Sequence, residues 1–207
     1  MKKHFVITIG REFGSGGREI GMALAKKLGV KCYDKELLAI AAKESGLSED
    51  ILNSLDERPT NSFLYSLVMD TYAMGYSTSS YVDMPLNQKA FMAQYDTIKN
   101  LAEQESCVIV GRCADYALKD RDDCYTVFIK ASMDEKIKRI SKKYDLSEDK
   151  AKDLIVKNNK KRANYYNFYA NRKWGDSRTY DLCLDSGVLG IDKTVELLVS
   201  YIEIRQK

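Results

Sequence analysis

Histidine is nearly absent from this chain: His4 is the only one among 207 residues. The five cysteines, at 32, 107, 113, 124 and 183, include no CxxC pair. A zinc or iron–sulfur framework needs closely spaced sulfur and imidazole donors, so this distribution argues against one. The odd number, with three cysteines inside strand-like apolar runs, points to reduced thiols acting as small hydrophobes in an intracellular setting. Long apolar stretches are missing too. Met1-Lys2-Lys3-His4 leads into a run of only five apolar residues, too short for a signal-peptide core, and no segment approaches the length of a membrane span. Nor does one sign of charge dominate: 33 basic against 30 acidic residues give a net charge of +3. That balance gives no reason to expect a nucleic-acid partner. The expectation is a soluble, cytoplasmic protein that contacts neither membrane nor nucleic acid.

What is present fits one α/β domain, since 44% hydrophobic and 30% charged residues are ordinary globular values. Residues Phe5 to Ile9 (FVITI) read as a buried strand that stops at Gly10. A glycine cluster, Gly14-Ser15-Gly16-Gly17, follows, and then a helix with Ile20, Ala23, Leu24 and Leu28 on one face and Gly29 as its C-cap. A second strand is expected from Val30 to Tyr33, ending on Asp34. From Lys35 to about Glu105 the reading is mainly helical. Helices are expected at Glu36 to Lys43, at Glu49 to Leu55 behind a Ser48 cap, and at Asn87 to Ala102. Pro59 breaks the pattern, and Thr71 to Pro85 (TYAMGYSTSSYVDMP) reads as a Tyr/Ser-rich loop that could order on binding or pack in an oligomer. Strand signals return at Cys107 to Val110 and at Tyr125 to Ile129. A Ser132/Glu135 capping box opens a helix to about Tyr144, and Ser147 opens another to about Arg162. A strand at Leu182 to Leu184 and a helix from Asp192 to about Ile204 close the chain. Strands alternating with helices call for a parallel sheet covered on both faces.

The main chemical signal is Gly10-Arg11-Glu12-Phe13-Gly14-Ser15-Gly16-Gly17-Arg18-Glu19-Ile20-Gly21. Glycines between a strand and a helix let backbone N–H groups converge on an anion at the positive end of the helix. Set on the phosphate-loop pattern G-x-x-x-x-G-K-[ST], the chain has Gly17 for the lysine, Arg18 for the Ser/Thr and Arg11 for the first glycine. A dinucleotide loop, G-x-G-x-x-G, would need glycine at 19, where Glu19 would face a pyrophosphate. A ligand-free turn is the bland alternative, but so many glycines opening a helix are costly unless a group must come close.

The segments ITIGREFGSGGREIG, CYDKELL, CVIVGRCADY and WGDSRTYDLCLDS together resemble the cytidylate-kinase-like family of P-loop kinases, from about Ile7 to the closing helix and least between about 50 and 86. The resemblance implies a P-loop NTPase fold, a three-layer α/β/α domain with a parallel sheet. It further implies a core of about 1–34, 106–144 and 176–207, a helical NMP-binding insert of about 35–105 and a short lid of about 145–175. The reaction implied is transfer of the γ-phosphoryl group of ATP, with Mg²⁺, to CMP or dCMP.

Phosphoryl transfer needs positioning and cations rather than covalent help, and arginine binds phosphate bidentately. Arg11 and Arg18 flank the loop formed by Gly14, Ser15, Gly16 and Gly17, and either could supply the missing lysine's charge. Arg112 lies just past a buried strand's carboxyl end and is expected to grip the acceptor phosphate. Asp34 matches a family aspartate and is expected near the acceptor or the metal, while the family arginine a turn later falls near Ile40. Lys160, Lys161, Arg162, Arg172, Lys173 and Arg178, among Tyr165, Tyr166, Phe168, Tyr169, Trp174 and Tyr180, describe a lid. They equally describe a single-strand nucleic-acid surface or an ordinary solvated face. The resemblance favours the lid, with Arg162 first and Arg172 and Arg178 after it. Ser15 and Asp34, directly or through water, are the candidates near Mg²⁺. Two other functions stay open: a nucleotide-binding regulator that lost catalysis, and a kinase for another small acceptor.

Overall fold

A computed structural model describes residues 4–57 and 84–206. Five parallel strands form one sheet: β1 (Val6–Arg11), β2 (Lys31–Tyr33), β3 (Cys107–Val110), β4 (Cys124–Lys130) and β5 (Leu182–Asp185), in the order β2-β3-β1-β4-β5. The helices of the described residues are α1 (Gly17–Leu28), α2 (Glu36–Ser45), α3 (Glu49–Leu55), α4 (Leu86–Gln104), α5 (Ala114–Ala117), α6 (Met133–Tyr144), α7 (Glu148–Ala170) and α8 (Ser186–Arg205). None is long and apolar enough to cross a membrane.

Side-chain alternation along β1 builds the three layers. Phe5, Ile7 and Ile9 join Ile20 and Leu24 of α1 and Val195 and Leu198 of α8 on one face. Val6, with Ile109 of β3, meets Leu37 of α2 and Ile98 and Leu101 of α4 on the other. Parallel strands buried on both faces need such continuous β-branched runs. Chain order reverses at β1, which sits between β3 and β4, and the crevice beyond its carboxyl end is where open α/β sheets bind ligands.

Some boundaries differ from the sequence expectation, for reasons of pairing and packing between elements. β1 does not stop at Gly10 but runs to Arg11, because β4 continues to pair with it (Gly10 with Phe128, Arg11 with Ile129). α7 passes Arg162 to reach Ala170, since Tyr165, Tyr166 and Tyr169 are buried. Tyr169 stacks on Phe91 of α4 at 4.0 Å between ring centroids. A helical turn at Ser186, where Asp185 accepts a hydrogen bond from the Gly187 N–H at 2.9 Å, precedes the expected closing helix in α8. The path is non-helical at Gly190 (φ 72°, ψ 173°), and the long part of α8 follows from Ile191, next to the expected start at Asp192. The short α5 gave no sequence signal. All but the last two residues of the Tyr/Ser-rich segment lie outside the described residues, as does Pro59. Met84 packs on the aromatic cluster and Pro85 caps α4.

Candidate active site

The loop between β1 and α1 folds as an anion cradle. Gly14 (φ 86°) and Gly16 (φ 78°) take left-handed conformations open to glycine. No side chain from the cap residue Gly16 covers the start of α1, where the Gly17 N–H lies 3.4 Å from Ser15 Oγ, and a helix start left open in this way favours an anion. Neighbouring elements brace the loop. The Glu12 carboxylate accepts from Lys136 Nζ (2.8 Å) and the Ala131 N–H. Phe13 N–H donates to Asn159 Oδ1, and Arg139 of α6 donates to the Gly14 carbonyl at 2.7 Å. Ser186, fully buried, donates to the Ser15 carbonyl at 2.5 Å and lies 3.1 Å from the Lys130 carbonyl, tying loop, β4 and α8 together.

Two of the three departures from the phosphate-loop pattern, Arg11 and Gly17, are neighbours in space. A Cβ on Gly17 would lie 2.5 Å from Arg11 Cβ, and one on Gly111 would lie 2.0 Å from an Arg11 terminal nitrogen. The Arg11 side chain therefore starts beside residue 17, crosses Gly111 and ends in the crevice. A lysine at 17 and an arginine at 11 cannot share this space. The exchange is reciprocal: glycine stands where the lysine would, and a cation stands where the glycine would.

Arg11, Arg112 and Arg162 gather with three carboxylates in and around a cavity of about 460 Å³. Arg11 donates to Glu57 Oε1 at 2.7 Å, and Arg162 donates to Glu57 Oε2 at 3.1 Å and to the Arg11 carbonyl. Arg112 lies 3.3 Å from Asp34 Oδ1 and 3.1 Å from Asp56 Oδ2, while Arg18 Nε lies 2.7 Å from Asp34 Oδ2. Arg112, Cys113 and Glu57 all have positive φ (55°, 55° and 52°). That conformation costs about 1–2 kcal/mol for a residue with a side chain, and here it aims Arg112 and Glu57 at each other's neighbourhood. Burial would raise the Glu57 pKa, but Arg11, Arg162 and Arg112 outweigh it and hold the carboxyl well below its usual range. Burial, with Arg11 close by, lowers the Arg162 guanidinium to about 10. Burial pushes Asp56 up against the pull of Arg112, and Asp56, Glu57 and Asp34 keep Arg112 charged despite its own burial. Among the described residues, Arg112 Nε and Asp56 Oδ1 are buried without a hydrogen-bond partner.

Of the residues the sequence singled out, Arg11, Gly14, Gly16, Gly17, Arg18, Asp34, Lys161, Arg112 and Arg162 all line this cavity. Arg172 and Arg178 do not. Arg172 lies 6.0 Å over the Tyr116 ring, and Arg178 is exposed and paired with Asp176 at 2.6 Å. Ile40 packs on the core beside Leu37 and Ile98. Asp56, Glu57 and Arg139 went unnoticed in the sequence. The first two sit at the exit of α3 with no motif around them, and Arg139 is one cation in the basic stretch KIKRISKK. Across the cavity Arg11, Arg18, Lys35, Arg112, Arg139, Lys143, Lys161 and Arg162 outnumber Glu12, Glu19, Asp34, Asp56 and Glu57. Such a lining suits a polyanion.

A protein-held Mg²⁺ does not fit these donors. The Ser15 side chain is fully buried, donates to the Glu12 carbonyl at 2.9 Å and accepts from the Gly17 N–H. Arg18 occupies the usual hydroxyl position, and both Asp34 oxygens carry arginines. Among the described residues no three His, Cys, Asp or Glu side chains are grouped to hold a metal ion.

The sequence profile described as the cytidylate kinase-like family matches residues 6–188. Among solved structures, an uncharacterized protein from Eubacterium ventriosum is 32% identical, with a TM-score of 0.72 over 97% of this chain and 99% of that one. Shikimate kinase from Bacteroides thetaiotaomicron shares 18% identity and a TM-score of 0.54 over 96% and 98% of the two chains, a likeness of fold alone. No curated protein matches.

Proposed function

The chain belongs to the cytidylate kinase-like family, and from that premise we propose that it moves the γ-phosphoryl group of ATP onto the phosphate of CMP or dCMP. An oxygen of the acceptor phosphate attacks the γ-phosphorus, the bond to the bridging β–γ oxygen breaks, and ADP leaves with CDP or dCDP. The loop N–H groups of Gly14 to Arg18 hold the nucleotide phosphates. Arg11 and Arg162 neutralise charge on the transferring group. Arg112, held by Asp34 and Asp56, orients the acceptor phosphate in line. Segments of about 35–105 and 145–175 serve as acceptor-binding insert and lid. Mg²⁺ then arrives on the ATP phosphates rather than on protein ligands. The setting proposed is cytoplasmic.

One observation carries this reading: Arg11 fills the side-chain space beside Gly17, so the cradle keeps a fixed cation although its lysine is gone. The reading of Arg11 as the substitute is favoured over Arg18, whose side chain is half exposed and paired with Asp34. A second reading, a nucleotide-binding regulator without catalysis, draws support from the carboxylates that already neutralise the arginines and from Ile40 where the family arginine would stand. Incubating the protein with radiolabelled ATP and a panel of nucleoside monophosphates, with shikimate and other small hydroxyl acceptors alongside, separates the possibilities. Labelled CDP or dCDP is the expected product. Transfer only to a different acceptor would move the assignment to another small-molecule kinase. Tight ATP binding with no transfer to any acceptor would establish the regulator.

A further inference from the structure

Glu57 presents one carboxylate to two guanidinium groups that come from different parts of the fold. Arg11 ends β1 and Arg162 lies in the middle of α7, and each takes one of the two Glu57 oxygens. All three side chains are largely buried. The Arg162 guanidinium also donates to the Arg11 carbonyl, which fixes the two arginines relative to each other. Glu57 itself sits in a left-handed conformation at the end of α3, a strained position for glutamate that turns its side chain into the cavity. A planar carboxylate between two arginine forks makes the same kind of charge-assisted contacts as two oxygens of a phosphoryl group.

We infer that Glu57 is a specificity-determining residue: its carboxylate occupies the Arg11–Arg162 clamp as an internal ligand, so that only a polyphosphate anchored elsewhere in the cradle displaces it. The inference rests on the phosphotransferase reading of the cavity and adds a selection rule to it. A free orthophosphate gains two arginine contacts but must expel a carboxylate that makes the same contacts and is tethered to the chain. A triphosphate also gains the loop N–H groups around Gly14 and Gly16, and that extra binding free energy drives the exchange. The site thereby rejects the small anions that would otherwise fill an arginine cluster. Removing the Glu57 charge leaves two crowded guanidinium groups without their shared carboxylate, which makes the clamp a receptor for any anion of that size.

Isothermal titration of the full chain with inorganic triphosphate and with orthophosphate tests this, using wild type, Glu57→Gln and Glu57→Asp. Gln keeps the size and loses the charge. Asp keeps the charge but is one methylene too short to span both arginines. Wild type should bind triphosphate and bind orthophosphate at least a hundredfold more weakly. Glu57→Gln should bind orthophosphate at least tenfold tighter than wild type, narrowing that ratio, and Glu57→Asp should fall between them. Orthophosphate binding by Glu57→Gln no tighter than wild type, with wild type still taking triphosphate, overturns the inference and leaves the phosphotransferase reading intact. Failure of wild type and both variants to bind triphosphate overturns both. If Glu57→Gln does not fold, Glu57→Asp decides: no gain in orthophosphate affinity over wild type sinks the inference.

Discussion

At the scale of single residues, the arrangement turns on which side chain is missing. Gly17 sits in the first turn of α1 and takes an ordinary helical conformation, so alanine there would normally stabilise by limiting the unfolded chain. The contact with Arg11 Cβ at 2.5 Å reverses that expectation. Gly17→Ala should destabilise by about 1–3 kcal/mol, the usual cost of overpacking, as read from urea unfolding. Arg11→Gly should cancel most of the added penalty when the two are combined, because it removes the Cβ that collides. A Gly17→Ala protein as stable as wild type would mean the close approach is relieved at no cost. Of the three departures from the phosphate-loop pattern, the sequence displayed Arg11 for glycine and Gly17 for lysine without linking them, and it left Arg11 and Arg18 as equal candidates. It could not show that the departures compensate, because residues six apart along the chain meet only when the loop closes. Asp56 and Glu57 were invisible for a related reason. Their role comes from where the end of α3 lies relative to β1 and α7, which no local pattern encodes.

At the scale of elements, the strands and most helices were legible because their signals are local. β-Branched runs marked β1 and β3, Gly29 marked the carboxyl end of α1, and Ser48 and Ser132 do cap their helices, accepting from Ile51 and Glu135 N–H groups. The misplaced ends were set by packing between elements instead. α7 continues because its three tyrosines find Phe91, Tyr180 and one another. The added turn that opens α8 before Gly190 forms because the β5 carboxyl end places Asp185 as its cap and Ser186 under the loop. Asp185 and Ser186 end the segment WGDSRTYDLCLDS that resembles the family, and their physical work is bracing. Ser186→Ala would leave the buried Ser15 carbonyl without its side-chain donor and should cost about 1–3 kcal/mol of stability. It should also raise the KM for ATP more than it lowers kcat, since it loosens the cradle without removing a cation. A rise in KM no larger than twofold, with the stability loss present, would show that the loop holds its shape without α8.

At the scale of the whole molecule, the sheet order puts β1 between β3 and β4, and Arg11 at the end of β1, Arg112 just past β3, and Lys161 and Arg162 of α7 line one cavity. Family membership, fold and cavity charge then agree with a polyanionic ligand, and the reciprocal exchange at positions 11 and 17 gives a loop without lysine the cation that the proposed phosphate site needs. The measurement that tests this most directly is initial-rate ADP formation, with the acceptor found in the panel, by wild type, Arg11→Ala, Arg18→Ala and the double variant Arg11→Gly/Gly17→Lys. Losing one charge-assisted contact to the transferring phosphoryl should raise the barrier by about 2–4 kcal/mol, roughly 30- to 1000-fold in rate. Arg11→Ala should show that loss in kcat, Arg18→Ala should change kcat by less than about fivefold, and the double variant should regain at least tenfold over Arg11→Ala. The opposite order, with Arg18→Ala inactive and Arg11→Ala near wild type, would contradict the account.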